Sequence, residues 1–305
     1  MYRNFCILHQ QRPFPITETS LANFLAEHAP DWSASTLSTA RSALKSFHID
    51  MGLESSFFNS DRIRRLCKGA QKVHAIPSKP LREHMTLDIL EKIIAFCDPN
   101  SFDDTCIKTA LCVAFAGFLR TQDFTYSKWG PADIASKPSR ASVSLFNDYA
   151  VLSLPITKTD QLRKGTNITL AANKRISCPV RNLHHLLTRF PTSLNAPLFA
   201  RGYPLAALDG IYFTASYFTN TFQQLLLRAK INPTGFTGHS IRRGAAQSAA
   251  DVGLEMKEIQ TLGRWKSDAV LRYVKPSTAI ELKQAAKFPN TPGQPDSSAP
   301  RYRKQ

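Results

Sequence analysis

The chain has 305 residues, 43% hydrophobic and 20% charged, which is the balance of a folded chain with room for a sizeable core and not that of a disordered one. Its 39 Lys and Arg against 23 Asp and Glu give a net charge of +16. That excess selects for a polyanionic partner, nucleic acid first among them. Six scattered cysteines without a CxxC pair give no zinc pattern and read as reduced thiols, several in apolar surroundings. No stretch has the length and apolarity of a membrane span or secretory leader, so an intracellular protein is expected.

In chain order, Thr17 to His28 and Ser35 to Met51 read as helices, the second with Leu37, Ala40, Leu44, Phe47 and Met51 at helical spacing. Ser60 is placed to cap a third helix, "DRIRRLCKGAQK". Ile63 and Leu66 face a core there, leaving Arg62, Arg65, Lys68 and Lys72 as a basic stripe that could contact a phosphate backbone or simply be solvated. "VHAIPSKPLREHMT" has two prolines and no periodicity, the composition of a linker between domains. Residues 1–80 are therefore expected to form a small helical domain.

Thr86 is placed to cap "LDILEKIIAFCD", and "DTCIKTALCVAFAGFLR", apolar on nearly every side, reads as a central helix ending in Arg120. A guanidinium there is costly to bury unpaired, and Asp123 is spaced to orient it. "YAVLSLPITKTDQLRKGTNITLA" has two β-prone runs around a charged turn, a hairpin with Lys158 toward its tip. Two amphipathic helices, "CPVRNLHHLLTRF" and "SYFTNTFQQLLLRAKI", follow. In "GHSIRRGAAQSAADVGLEMKEIQTLGRWKSDAVLRYV", His239 and Arg242 lie three residues apart at a helix start, where side chains at i and i+3 share a face and an anion is favoured. Tyr273 follows a short helix capped by Ser267. Residues 289–305, rich in Pro, Ser and Gly, read as a disordered tail.

Laid side by side, "GFLRTQD", "LPITKTDQLRKG", "GHSIRRGAA" and "LGRWKSDAVLRYV" resemble the catalytic boxes of the tyrosine recombinase/integrase family. All four occur in family order across about Thr86 to Lys287, with wording closest to the eukaryotic mobile-element branch, Crypton- and DIRS-like. The resemblance implies a mainly α fold with a small β-hairpin or sheet (α+β). A SAM-like core-binding domain would occupy residues 1–80 and the catalytic domain residues 81–288. It implies that Arg120 and Arg242 bind the non-bridging oxygens of the scissile phosphate with His239 beside them. Lys158 would be general acid to the departing 5′-oxygen, and Tyr273 the nucleophile that forms a 3′-phosphotyrosyl link. Arg243 joins the basic residues expected on DNA, and Lys164 is the next candidate for the acid.

One position departs from the pattern. Many members place a second histidine after the glycine of the last box, where this chain has Arg264 and then Trp265. Trp265, through its indole N–H, is the favoured substitute, and Arg264 a possible second phosphate ligand. No metal, cofactor or ATP is expected, since a phosphotyrosyl link conserves the phosphodiester bond and the chain has neither clustered carboxylates nor a P-loop. The partner implied is double-stranded DNA. The chain would be a monomer free in solution and a homotetramer on paired sites, held by Thr278 to Lys287 docking on a neighbour, and would act in the nucleus if eukaryotic, otherwise in the cytoplasm. A non-catalytic DNA-binding protein, either an HTH-like regulator or a decayed recombinase, is the alternative from another class. A type IB topoisomerase, which uses nearly the same residues, is the closer one.

Overall fold

The computed structural model describes residues 1–73, 82–157, 164–203 and 212–274. The chain divides into two compact units, Met1–Lys79 and Pro80–Gln305. Among the described residues no helix is long and apolar enough to cross a membrane.

The first unit holds α1 (Tyr2–Leu8), α2 (Glu18–His28), α3 (Ala34–Asp50) and α4 (Asp61–Val73). The hydroxyls of Thr17 and Ser33 accept from the backbone N–H groups of Ser20 and Thr36 at the starts of α2 and α3. Such caps contribute about 1 kcal/mol each. The core gathers Phe5, Leu21, Phe24, Leu25, Leu37, Phe58 and Ile63. His48 is buried with them and is neutral by its bonding: Nε2 accepts from the Ile16 N–H, so Nδ1 holds the proton and donates to the Glu54 carbonyl. Sequence reasoning misses α1, too short to show a period. On α4 it holds, because Ile63 is buried and Leu66 partly so, while Arg62, Arg65, Lys68 and Lys72 are exposed.

The second unit begins its described part at Arg82. The end of the expected linker is fixed: Met85 is fully buried, its N–H donates to the Ser240 carbonyl, and the Glu83 N–H donates to that of Gly235. Then come α5 (Leu87–Ile94), capped by Thr86 as expected, α6 (Phe102–Ala116), α7 (Thr121–Phe124) and α8 (Pro131–Ile134). β1 (Val143–Leu145), β2 (Tyr149–Leu154) and β3 (Thr166–Ala171) form an antiparallel sheet in that order. Leu152 sits opposite both Val143 and Ile168. Ala150, Leu152 and Leu154 alternate inward with Ile168 and Leu170, the two-residue period that predicts the hairpin. The strand β1 is too short to be read from sequence.

α9 (Pro179–Arg189), α10 (Ala215–Arg228), α11 (Gly238–Asp251) and α12 (Met256–Gly263) complete the helices, and a 3-10 turn spans Asp268–Arg272. α6 is central, with ten of its fifteen residues buried against neighbours that include α9, α11 and β3. A smaller apolar cluster joins Phe118 to Ala245, Ala246 and Ala250 of α11, Ile259 of α12, Trp265, Val270 and Val274. Five of the six cysteines are buried and all are free thiols; burial pushes Cys97 and Cys106 up to about 12, which makes them inert at neutral pH. The architecture is the expected one, mainly α with a small sheet.

Candidate active site

The site is built on the C-terminus of α6. The sequence suggests a helix running into Arg120, but α6 stops at Ala116. Gly117 closes it and Phe118 follows in the left-handed region at φ 51°, with the Leu119 N–H reaching back to the Ala114 carbonyl. A residue in that conformation ends a helix. The reversal seats the Phe118 ring in the smaller core and leaves the Gly117 and Phe118 carbonyls as acceptors at the negative end of the helix dipole.

Two guanidiniums take them. Arg242 donates through Nη1 to the Phe118 carbonyl and through Nη2 to that of Gly263 at 2.5 Å. Arg264 donates through Nη2 to Gly117 at 3.0 Å and Phe118 at 3.3 Å, and through Nη1 to Leu262 at 3.1 Å. Among the described residues no ion pair involves Arg120, Arg242 or Arg264. Backbone carbonyls orient these cations without neutralising them.

Arg242 is fully buried, its guanidinium 4.2 Å from the centroid of the Trp265 ring. Burial is the main force that pushes it down to about 9, reinforced by the positive charges of Arg120 and Arg264 and opposed by Asp123 and Tyr273. It remains a cation at neutral pH. A cluster of three guanidiniums with one opposing carboxylate nearby is electrostatically incomplete and complements an anion of several oxygens.

Trp265 reaches Arg242 because α12 ends in a second left-handed residue, Arg264 at φ 57°. The reversal lays the indole over Gly263, where a β-carbon would collide with ring atoms Cε3, Cζ3 and Cη2. Only glycine leaves that space. The ring contacts the guanidinium, meets the Tyr273 ring at 5.1 Å between centroids and stands edge-on to Phe118 at 6.2 Å. Tyr273 itself is half-buried after the 3-10 turn, its N–H held by the Val270 carbonyl at 2.8 Å. Ser267 caps that turn as expected.

Arg120 precedes α7 and does not end α6. Asp123 touches it differently from the expectation: the carboxylate accepts from the Arg120 backbone N–H at 2.8 Å, which orients the loop. The next residue, Thr121, fills the space where a β-carbon on Gly238 would sit, so the Arg120 loop lies directly against the first turn of α11. His239 is exposed on that first turn, three residues before Arg242, and Arg243 donates to the Arg82 carbonyl. Lys158 lies outside the described residues. Its neighbour Thr157 is buried and, with Gly165 and Thr166, faces Gln260, Thr261, Arg264, Trp265 and Lys266 across a cleft of about 380 Å3. Lys164 is exposed at the foot of β3.

Arg120, Arg242, Arg264, Trp265 and Tyr273 are thus brought together, with His239 on the first turn of α11. Arg62, Arg65, Lys68 and Lys72 belong to the other unit. Sequence reasoning misses the Gly117 and Phe118 carbonyls and the glycine platform at Gly263. The glycine before "RW" is the one local signal for the latter.

No protein-family model matches the chain. Among curated proteins it is similar to an integrase/recombinase XerD homolog of Selenomonas ruminantium, 21% identical over 281 residues that cover 90% of this chain and 77% of that protein. Among solved structures it is similar to the XerH site-specific recombinase bound to a palindromic difH substrate in a post-cleavage complex, with 16% identity, a TM-score of 0.57 and coverage of 91% and 73%. It is also similar to the Tn1549 transposon integrase in complex with circular intermediate DNA, with 14% identity, a TM-score of 0.52 and coverage of 93% and 91%. The resemblance carried by the four boxes and the likeness of the folds agree: this chain has the tyrosine recombinase fold.

Proposed function

We propose that the protein is a site-specific DNA recombinase or integrase that cleaves and rejoins duplex DNA through a 3′-phosphotyrosyl intermediate. One convergence carries the reading: Arg242 stacks on Trp265, whose ring meets Tyr273, and the Arg120 loop lies against the first turn of α11, at a site where, among the described residues, no ion pair involves these arginines. The fold likeness to DNA-bound recombinases and to a transposon integrase supports it, as does the net charge of +16.

Arg120 and Arg242 hold the non-bridging oxygens of the scissile phosphate, where their charges match the negative charge that gathers on a pentacoordinate phosphorane. His239, on the first turn of α11, lies beside them. The Tyr273 oxygen attacks phosphorus; a bond forms to the 3′-phosphate, the bond to the 5′-oxygen breaks, and Lys158 gives that oxygen a proton. Neutral tyrosine is a weak nucleophile near pH 7, so its proton leaves to solvent as the oxygen attacks. Religation reverses the steps, so the exchange needs no ATP.

Arg62, Arg65, Lys68 and Lys72 supply backbone contacts from the first unit, making binding salt-dependent. Paired sites assemble four copies, and strand exchange occurs where the DNA is, in the nucleus of a eukaryotic host. The mobile-element origin rests on the wording of the boxes and the likeness to a transposon integrase.

A nicked suicide duplex with a candidate site tests the reading. The expected result is a denaturant-resistant protein–DNA adduct for the wild type and none for Tyr273→Phe. The same absence of adduct from both, on a site the protein binds, would leave only a DNA-binding function.

A further inference from the structure

Position 264 is where this chain departs from the family wording, and the structure gives the replacement a distinct job. Arg264 stands in the left-handed conformation that ends α12, which turns its side chain toward the end of α6. Its Nη2 spans the Gly117 and Phe118 carbonyls, and the Phe118 carbonyl also accepts from Arg242. One carbonyl therefore joins two guanidiniums, and one side chain ties two helix ends together. The charged and titratable groups around it are Arg120 just before α7, Asp123 in α7, Arg242 of α11, with Tyr273 beyond Arg242, and Lys266 on the same cleft.

Trp265 stands below Arg242 and holds it by ring contact. A histidine at 264 could not span both carbonyls, and it would be charged only at the acid end of the working range. An arginine does both through the neutral range, although burial lowers it from its ordinary value.

We propose that Arg264 is a positioning residue that locks the C-terminus of α6 to that of α12, sets Arg242 in place, and keeps a positive charge beside the bound phosphate. This rests on the recombinase reading for the identity of the phosphate. The fork and the charge are separable by substitution.

The test is the single-turnover rate of suicide-duplex cleavage, taken as the ratio of variant to wild type across the range from about pH 6 to 8. Arg264→Lys keeps the charge and loses the fork, and its ratio should be on the order of 0.1 and flat with pH. Arg264→His should show a ratio that falls on the order of tenfold as pH rises. Arg264→Asn, which tolerates the left-handed backbone, should be slowest and flat. A Lys variant equal to wild type overturns the fork, and a flat ratio for the His variant overturns the charge.

Thermal melting in inorganic phosphate separates this inference from the recombinase reading, because it needs no strand cleavage. Phosphate should raise the wild-type Tm and raise that of Arg264→Asn less. An equal rise in both overturns the proposal even if wild type cleaves DNA. A wild type that forms no adduct but shows the Arg264-dependent rise refutes the recombinase reading alone.

Discussion

Arg242 and Arg140 are both almost fully buried arginines in the same unit, and they do different things. Each donates to backbone carbonyl oxygen and, among the described residues, leaves its Nε buried without a partner and forms no carboxylate ion pair. Arg140, at the turn before β1, reaches the Leu186 carbonyl at 3.3 Å, and its titratable neighbours are Cys106, Tyr203 and Tyr126. Arg242 lies among Arg120, Arg264, Trp265 and Tyr273. Burial lowers both guanidiniums, so burial alone does not mark a site. Convergence of like charges beside a tyrosine does.

The largest effect that separates the two is on cleavage. Arg242→Met should slow the first strand cut by about 10² to 10³-fold, the cost of removing one preorganised donor from a charge-developing centre. An Arg242→Met variant that cuts like wild type would erase the distinction.

Gly263→Ala comes next, through the Trp265 floor under Arg242. Helix propensity alone would favour alanine by up to about 1 kcal/mol. The β-carbon meets the indole ring, so the expected result is a net loss of about 1 to 3 kcal/mol in denaturant unfolding, with slower cleavage. A gain in stability would mean that Trp265 does not sit over Gly263.

Linkage supplies the third. The guanidinium of Arg242 falls from its ordinary value to about 9 on folding. Below 9 both folded and unfolded chains carry the proton, and the folded chain bears the whole desolvation cost. Between those values the unfolded chain binds more protons, so stability rises with pH there. At neutral pH a bound anion offsets the cost. Sulfate at about ten times its Kd should add roughly 1.4 kcal/mol, a rise of a few degrees in Tm. That rise should survive Arg140→Met and vanish in Arg242→Met, as followed by thermal melts.

The smallest effect is Arg140→Met itself. An uncompensated buried cation exchanged for an apolar side chain of similar length should be neutral or stabilise by up to about 1 kcal/mol, with cleavage unchanged within about threefold. The Leu186 carbonyl keeps the Phe190 N–H as a donor. A loss of cleavage in this variant, with folding intact, would extend the functional cluster to β1.

The four boxes are legible because their chemistry is local. Gly238, His239 and Arg242 define a helix start by themselves, and the two-residue alternation of β2 and β3 is visible in "YAVLSL" and "TNITLA". The end of α6 was not legible, since "AFAGFLR" has no polar stop signal and the helix is broken by a left-handed phenylalanine whose ring is claimed by another core. Spacing pairs Asp123 with Arg120, yet the carboxylate meets the backbone N–H and not the guanidinium. Spacing fixes which side chains are near one another, not which atoms touch.

By itself the sequence determined the basic charge, the helical and hairpin periods, and the residue types that suit a phosphate, because these depend on side-chain chemistry and short-range geometry. Only the tertiary structure decided that the carbonyls closing α6 hold Arg242 and Arg264, and that Trp265 lies beneath Arg242 on the space left by Gly263. The contacts to the end of α6 join residues more than a hundred positions apart. They are selected by packing and by the need to satisfy buried polar groups, which no local pattern encodes.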